Sequence, residues 1–171
     1  MLKYFVKFFF VIYLIKVSLA CQGHTLKVNY IRTCSQNNVV KIQENSTAKL
    51  TRDCEIIPTA CGQTTGFNTA KVHYEVFKNN LSIDKGDFDG CKKLEEANPE
   101  YKEMIKLFGL PTNCPVGKIN KCESDSKKID VKKHKNIFNL ARGAPIRTHV
   151  LIQHDNGQSC FESEIEIKKK M

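Results

Sequence analysis

The chain has 171 residues with 27 Lys or Arg, 18 Asp or Glu, a formal net charge of +9, eight Cys and 41% hydrophobic residues. A chain of that size and make-up is long enough to enclose one real core and is no low-complexity polymer. No two cysteines stand in the CxxC spacing that structural zinc sites favour, which argues against a cytosolic metal protein.

Residues 1–20 read as a signal peptide. Lys3 and Lys7 supply a positive start, Phe8 to Ile15 a short apolar run, and Ser18-Leu19-Ala20 a small-residue cleavage site. The apolar run is too short to span a bilayer comfortably and no stop-transfer segment follows. Cleavage after Ala20 leaves residues 21–171 as one domain with 24 basic and 18 acidic residues, a net charge of +6. All eight cysteines, Cys21, Cys34, Cys54, Cys61, Cys91, Cys114, Cys122 and Cys160, survive it. An even count in an oxidising compartment implies a full set of disulfides in a secreted or lumenal protein.

The first strand candidates are residues 26–32, 38–42 and 47–57, the last ended by Ile57-Pro58-Thr59-Ala60-Cys61-Gly62. Cys54 and Cys61 flank that break and could bridge locally if geometry permits. Asn45-Ser46-Thr47 and Asn80-Leu81-Ser82 are glycosylation sequons, so Asn45 and Asn80 are candidate acceptors on surface turns. A clear alternating strand runs over residues 71–77, with Val72, Tyr74 and Val76 on one face, and ends at the polar turn Lys78-Asn79-Asn80. One helix is predicted over 99–108: Asn98 caps it, Pro99 opens it, Tyr101, Met104, Ile105 and Phe108 form its apolar stripe, and Gly109 ends it. At about 15 Å it is too short to persist unless that stripe is buried. Residues 117–136 are polar and lysine-rich, a long surface connection whose lysines, with Lys168 to Lys170, read as solvated rather than as a nucleic-acid patch.

The last element is a hairpin turning at Asp155-Asn156-Gly157-Gln158, where Asn-Gly suits a two-residue type I′ loop. Counting outward from that loop pairs Ile152 with Phe161, Val150 with Ser163, Thr148 with Ile165 and Ile146 with Ile167 on an apolar face. The other face pairs Leu151, His149 and Arg147 with Glu162, Glu164 and Glu166, the pattern of a sheet covered on one side.

Catalytic motifs are missing: there is no GxSxG, no HExxH, no Gly-rich phosphate loop and no nucleophile signature at a cysteine. The histidines His24, His73, His134, His149 and His154 are expected in ordinary surface roles. His149 and His154 point to opposite faces of one strand and so do not share a metal. The expectation is therefore a non-enzyme with no cofactor and no metal.

Several short motifs resemble the ML lipid-recognition domain, in particular its ganglioside-activator-like group. They are Cys54-Glu55-Ile56-Ile57 through Cys61, Phe67-Asn68-Thr69-Ala70-Lys71-Val72 leading into a strand, and Phe88-Asp89-Gly90-Cys91 after it. Most telling is Leu107-Phe108-Gly109-Leu110-Pro111-Thr112-Asn113-Cys114-Pro115, with the closing strand at Gly157 and Cys160 completing the set. The resemblance covers about residues 34–168. It implies a mostly β, immunoglobulin-like sandwich or cup, stapled by disulfides, whose two sheets part around an apolar cavity for acyl chains. It also implies pairs between Cys34 and Cys160 and between Cys91 and Cys114, leaving Cys54 with Cys61 and Cys21 with Cys122. On this basis the expected function is secreted lipid binding or transfer, or presentation of a glycolipid to a lysosomal or secreted hydrolase, with transient contact at a membrane surface. The expected lining residues are Val72, Tyr74, Val76, Tyr101, Met104, Ile105, Phe108, Leu110, Phe138, Leu140, Val150, Ile152, Phe161 and Ile165. The rival expectation is a secreted protein-binding or immune-modulating β-sandwich without a lipid.

Overall fold

The computed structural model describes residues 23–43, 46–99, 102, 111–123, 128–130 and 143–169. The expected signal peptide over 1–20, Cys21, Asn45 and the lining candidates Tyr101, Met104, Ile105, Phe108, Leu110, Phe138 and Leu140 lie outside the described residues. The elements are β1 (His24–Thr33), β2 (Val40–Ile42), β3 (Thr47–Leu50), β4 (Glu55–Thr64), β5 (Ala70–Lys78), β6 (Leu81–Asp89), α1 (Gly90–Glu96), β7 (Ile119–Glu123), β8 (Ile129–Asp130), β9 (Ile146–His154) and β10 (Gly157–Lys169).

They build a β-sandwich. One sheet has the order β1-β10-β9-β5-β6 with every neighbour antiparallel. In the other, β4 is central, flanked by β2 and β3 on one side and by β7 and β8 on the other. Alternation turns one face of each sheet inward, and two buried clusters join the layers. At one end Cys54, Leu50 and Ile56 meet Ile146, Ile167, Leu26, Val76 and Ile165. At the other Val40, Phe67, Val116 and Ile119 meet Ala70, Ile152 and Phe161.

Three expectations change in the second sheet. Residues 57–62 do not break a strand: β4 runs through Pro58 and Gly62. Among the described residues the β7 ladder pairs 60–64 and the β8 ladder 55–56. Pro58 thus falls in the interval between them, where its missing N–H costs no rung on that side. Segment 117–136 is not a plain connection, since Ile119–Glu123 and Ile129–Asp130 are strands on β4. Nor do the pairs Cys54 with Cys61 and Cys21 with Cys122 form. Cys61 stands directly opposite Cys122 across β4 and β7, Cα atoms 4.0 Å apart, and bonds to it. Cys54 and Cys61 are separated by extended strand, about 20 Å at ~3.3 Å per residue, too far for a disulfide. Cys54 is itself disulfide-bonded. Cys34 is bonded to Cys160 and Cys91 to Cys114.

The first sheet follows the pattern with one shift. Strand β5 carries Val72, Tyr74 and Val76 inward and ends in a two-residue loop, Asn79-Asn80, with φ of 51° and 62°. Two left-handed residues are what a type I′ turn requires, and asparagine tolerates that conformation. The β9–β10 turn differs from expectation. Its two-residue loop is Asp155-Asn156, not Asn156-Gly157, so Val150 faces Phe161, Ile152 faces Ser159, Thr148 faces Ser163 and Ile146 faces Ile165. Leu151, His149 and Arg147 face Cys160, Glu162 and Glu164. A slip of two residues leaves each side chain on its expected face and changes only its partner. Contacts from the β4–β5 connection account for the choice. The Asp155 carboxylate accepts from the Asn68 and Thr69 amides at 2.8 and 3.2 Å and from Asn68 Nδ2 at 2.7 Å, while Asn156 Nδ2 donates to the Gly66 carbonyl at 2.8 Å.

The expected helix over 99–108 lies almost wholly outside the described residues. Its first turn is visible as helical Pro99 and Lys102, the Lys102 amide donating to the Asn98 carbonyl at 3.1 Å. Helix α1 was not expected. Asp89 caps it, accepting from the Lys92 amide at 3.0 Å, and Gly90 lets it approach β5 closely. A Cβ at Gly90 would sit 3.1 Å from both the Ala70 carbonyl and Val72 Cγ2.

Candidate functional site

Seven of the expected lining residues are described, and the ladders bring all seven to the inward face of the first sheet. Val72 faces Ile152 and Tyr74 faces Val150 across β5 and β9, and Val150 in turn faces Phe161 on β10. Val76 stands beside Thr148, and Ile165 beside Ile146. The seven are half-buried, whereas neighbouring Ile146 and Ile167 are only 4% and 3% exposed. Val76 and Ile165 pack on the Cys54 cluster, and Ile152 and Phe161 on the Phe67 cluster. Among the described residues Val72, Tyr74 and Val150 belong to neither cluster.

Polar groups sit within this apolar field. Thr148 Oγ1 and Ser163 Oγ are 2.6 Å apart, each satisfying the other. Tyr74 lies across β6: a Cβ at Gly86 would be 3.1 Å from Tyr74 Cε1, and the phenol donates to Asp84 Oδ2 at 3.3 Å. Loss of hydration and then the Asp84 charge raise the phenol pKa above its ordinary value. The site therefore presents hydrocarbon interrupted at its centre by one self-satisfied hydroxyl pair, with the Asp84 carboxylate at the β6 edge.

One end of the face is fastened by groups that periodicity does not reveal. After β1 the chain crosses from the first sheet to the second, and Asn38 makes the crossing. Its Oδ1 accepts from the Cys160 amide at 2.8 Å and its backbone forms a parallel bridge with Gln158. Ser159, fully buried, accepts from the Val40 amide at 2.9 Å and lies 2.9 Å from His154 Nε2. His154 is 5% exposed and its ring centroid is 4.2 Å from that of Phe67, which corrects the expectation of a surface histidine. Burial lowers its pKa, partly offset by the Thr69 backbone and the Asp155 charge, and Nδ1 is buried without a hydrogen-bond partner. The Cys91–Cys114 disulfide packs against the same cluster. Only a polar pair flanking an Asn-Gly turn, His154 and Ser159, could have flagged this corner from sequence.

The opposite face of the sheet is charged: Arg32 pairs with Glu162 at 2.6 Å, His73 with Asp87 at 2.9 Å and Lys168 with Glu166 at 3.1 Å. Cys34, His149 and Cys160 converge there, His149 Nε2 lying 3.5 Å from Cys160 Sγ, but both sulfurs are committed to their disulfide. Among the described residues no helix is long and apolar enough to cross a membrane.

No protein-family model matches the chain. A curated protein of Anopheles gambiae, Sporozoite-associated mosquito saliva protein 1, is 36% identical over 152 residues, an alignment spanning 86% of this chain and 83% of that protein.

Proposed function

The chain belongs to the family of this Anopheles saliva protein, and from that premise we propose that it is a secreted protein that binds or transfers lipid, holding acyl chains between its two sheets. The observation that supports this reading most directly is the facing pair Tyr74 and Val150, inward and half-buried, which belongs to neither of the two clusters that join the sheets. Apolar area left partly uncovered on an inward face is stabilised by a ligand that covers it, at about 25 cal/mol per Å². The disulfides and the saliva origin in the relative's name both fit secretion. No catalytic group is required: the chemistry is desolvation of an acyl chain, with transient contact at a membrane during loading. Presentation of a glycolipid to a hydrolase is the extended form of this proposal.

Native mass spectrometry of protein from a secretory host, followed by organic extraction, tests it. Co-purified lipid and saturable uptake of a fluorescent fatty acid are expected. An empty protein that takes up none overturns the reading.

A second reading, a secreted protein ligand without a lipid, draws on the word "sporozoite-associated" in the relative's name and on Leu81 and Ile83, 70% and 44% exposed on edge strand β6. A stable complex with another protein and no lipid uptake would favour it.

A further inference from the structure

The outward face of the second sheet carries two adjoining clefts, of 580 Å³ and 380 Å³, that share Lys41, Gln63 and Asn120. These three form one row across the sheet, Lys41 of β2 opposite Gln63 of β4 and Gln63 opposite Asn120 of β7. Lys118 and Asn37 extend the larger cleft on one side of the row, and Gln43 extends the smaller on the other, over the Cys61–Cys122 disulfide. All six side chains are exposed, and among the described residues neither cleft has a carboxylate or an aromatic ring in its lining. Of the acids on this sheet, Glu55 sits at the far end of β4 and is held by Lys128 at 2.8 Å.

We propose that this groove binds an acidic oligosaccharide, a sulfated or uronic-acid glycan of the kind displayed on cell surfaces and in extracellular matrix. The chemistry follows from the side chains. A carboxamide both donates and accepts, matching adjacent sugar hydroxyls, and four of them converge here. Lys41 and Lys118 supply point charges for sulfate or carboxylate, with Cα atoms about 12 Å apart for two strand spacings across and two residues along. The ligand is thus met at two separate acid groups with hydroxyl readers between them. The lack of any aromatic surface disfavours bases, which need a stacking platform. The lack of arginine in the lining disfavours a phosphopeptide, which is read by bidentate guanidinium. β4, paired on both sides, and the Cys61–Cys122 bridge hold the row rigid, so little ordering is required on binding.

Calorimetry of the full secreted chain with a heparin-derived hexasaccharide in 0.1 M NaCl tests the assignment. Saturable binding that weakens as salt rises is expected. K41Q/K118Q should weaken it at least tenfold, and Q63A/N120A severalfold with no change of charge. The control pair K27Q/K85Q, exposed on the other sheet, should stay within twofold. Backbone chemical shifts of the unsubstituted protein should move at 37–43, 61–65 and 118–122, a readout that needs no variant. The proposal is overturned if binding is absent, if the control pair loses as much as the groove pair, or if Q63A/N120A binds normally. Shift changes elsewhere, equal affinity for a desulfated, carboxyl-reduced oligosaccharide, or binding to phosphatidylserine vesicles but not to the hexasaccharide would overturn it equally.

Discussion

Substituting Gly157→Ala probes the β9–β10 hairpin through two separable effects. Gly157 has φ of 150°, and a Cβ there would lie 2.9 Å from Val39 Cγ2. Backbone in that region is almost reserved for glycine and costs another residue on the order of 1–3 kcal/mol. Crowding a methyl against Val39 adds up to about 1 kcal/mol, since the isopropyl group is half-buried and can turn. Reduced freedom of the unfolded chain returns about 0.4–1 kcal/mol. The net expectation is a loss of about 1–3 kcal/mol, or roughly 3–10 °C in melting temperature for a chain of this size. Urea unfolding of G157A, V39A and the double variant forms a cycle that separates the two effects. If the crowding is real, the double variant is more stable than the sum of the single losses by about 0.5–1 kcal/mol, and the backbone cost persists. A G157A protein as stable as its parent would refute the reasoning, because it would mean that the chain at 157 is free to leave its positive φ.

Acidification should weaken the fold in two stages. His154 titrates below its ordinary 6.5 in the folded state because it is buried. Below pH 6.5 the unfolded chain therefore binds the extra proton, and stability falls until the folded pKa is reached; His154→Gln should flatten that stage in urea titrations. Asp155 is held at about 2, against 3.8, by the Asn68 and Thr69 amides. Its contribution is present above pH 4 and lost between about 4 and 2, and Asp155→Asn should remove this second stage. Val150→Trp should abolish fatty-acid uptake while shifting the melting temperature little, because the indole fills ligand space; a closed core would instead lose about 1–3 kcal/mol to overpacking. Asn80, exposed at the tip of the β5–β6 loop, should carry a glycan in a eukaryotic secretory host, and Asn80→Gln should lower the intact mass by one glycan. Unchanged mass would remove Asn80 as an acceptor.

Individual residues show how far pattern reading reaches. Period-two alternation placed Val72, Tyr74, Val76, Val150, Ile152, Phe161 and Ile165 on one face without reference to any partner, because a strand's own pleat settles which side each residue takes. That local rule holds even where the register is wrong by two. What it does not settle is where a strand ends. Pro58 and Gly62 read as a break, yet β4 passes through them because neighbouring strands supply its pairing. Helix α1 was missed because seven residues give no measurable stripe. Its cap, Asp89, is legible only once the end of β6 is known.

What the chain determined by itself is what short range decides: an oxidised, cysteine-rich β protein, the alternating faces of β5, β9 and β10, and the polar turn at Lys78-Asn79-Asn80. The tertiary structure decided what depends on residues far apart in sequence. It chose Cys122 for Cys61, since a disulfide forms where ladders bring Cα atoms within about 7 Å and spacing cannot show that. It selected the hairpin loop through Asn68, Thr69 and Gly66, which outweigh the local preference of Asn-Gly. It also assembled the Lys41–Gln63–Asn120 row, three side chains from three strands that only the sheet's hydrogen-bond register brings side by side.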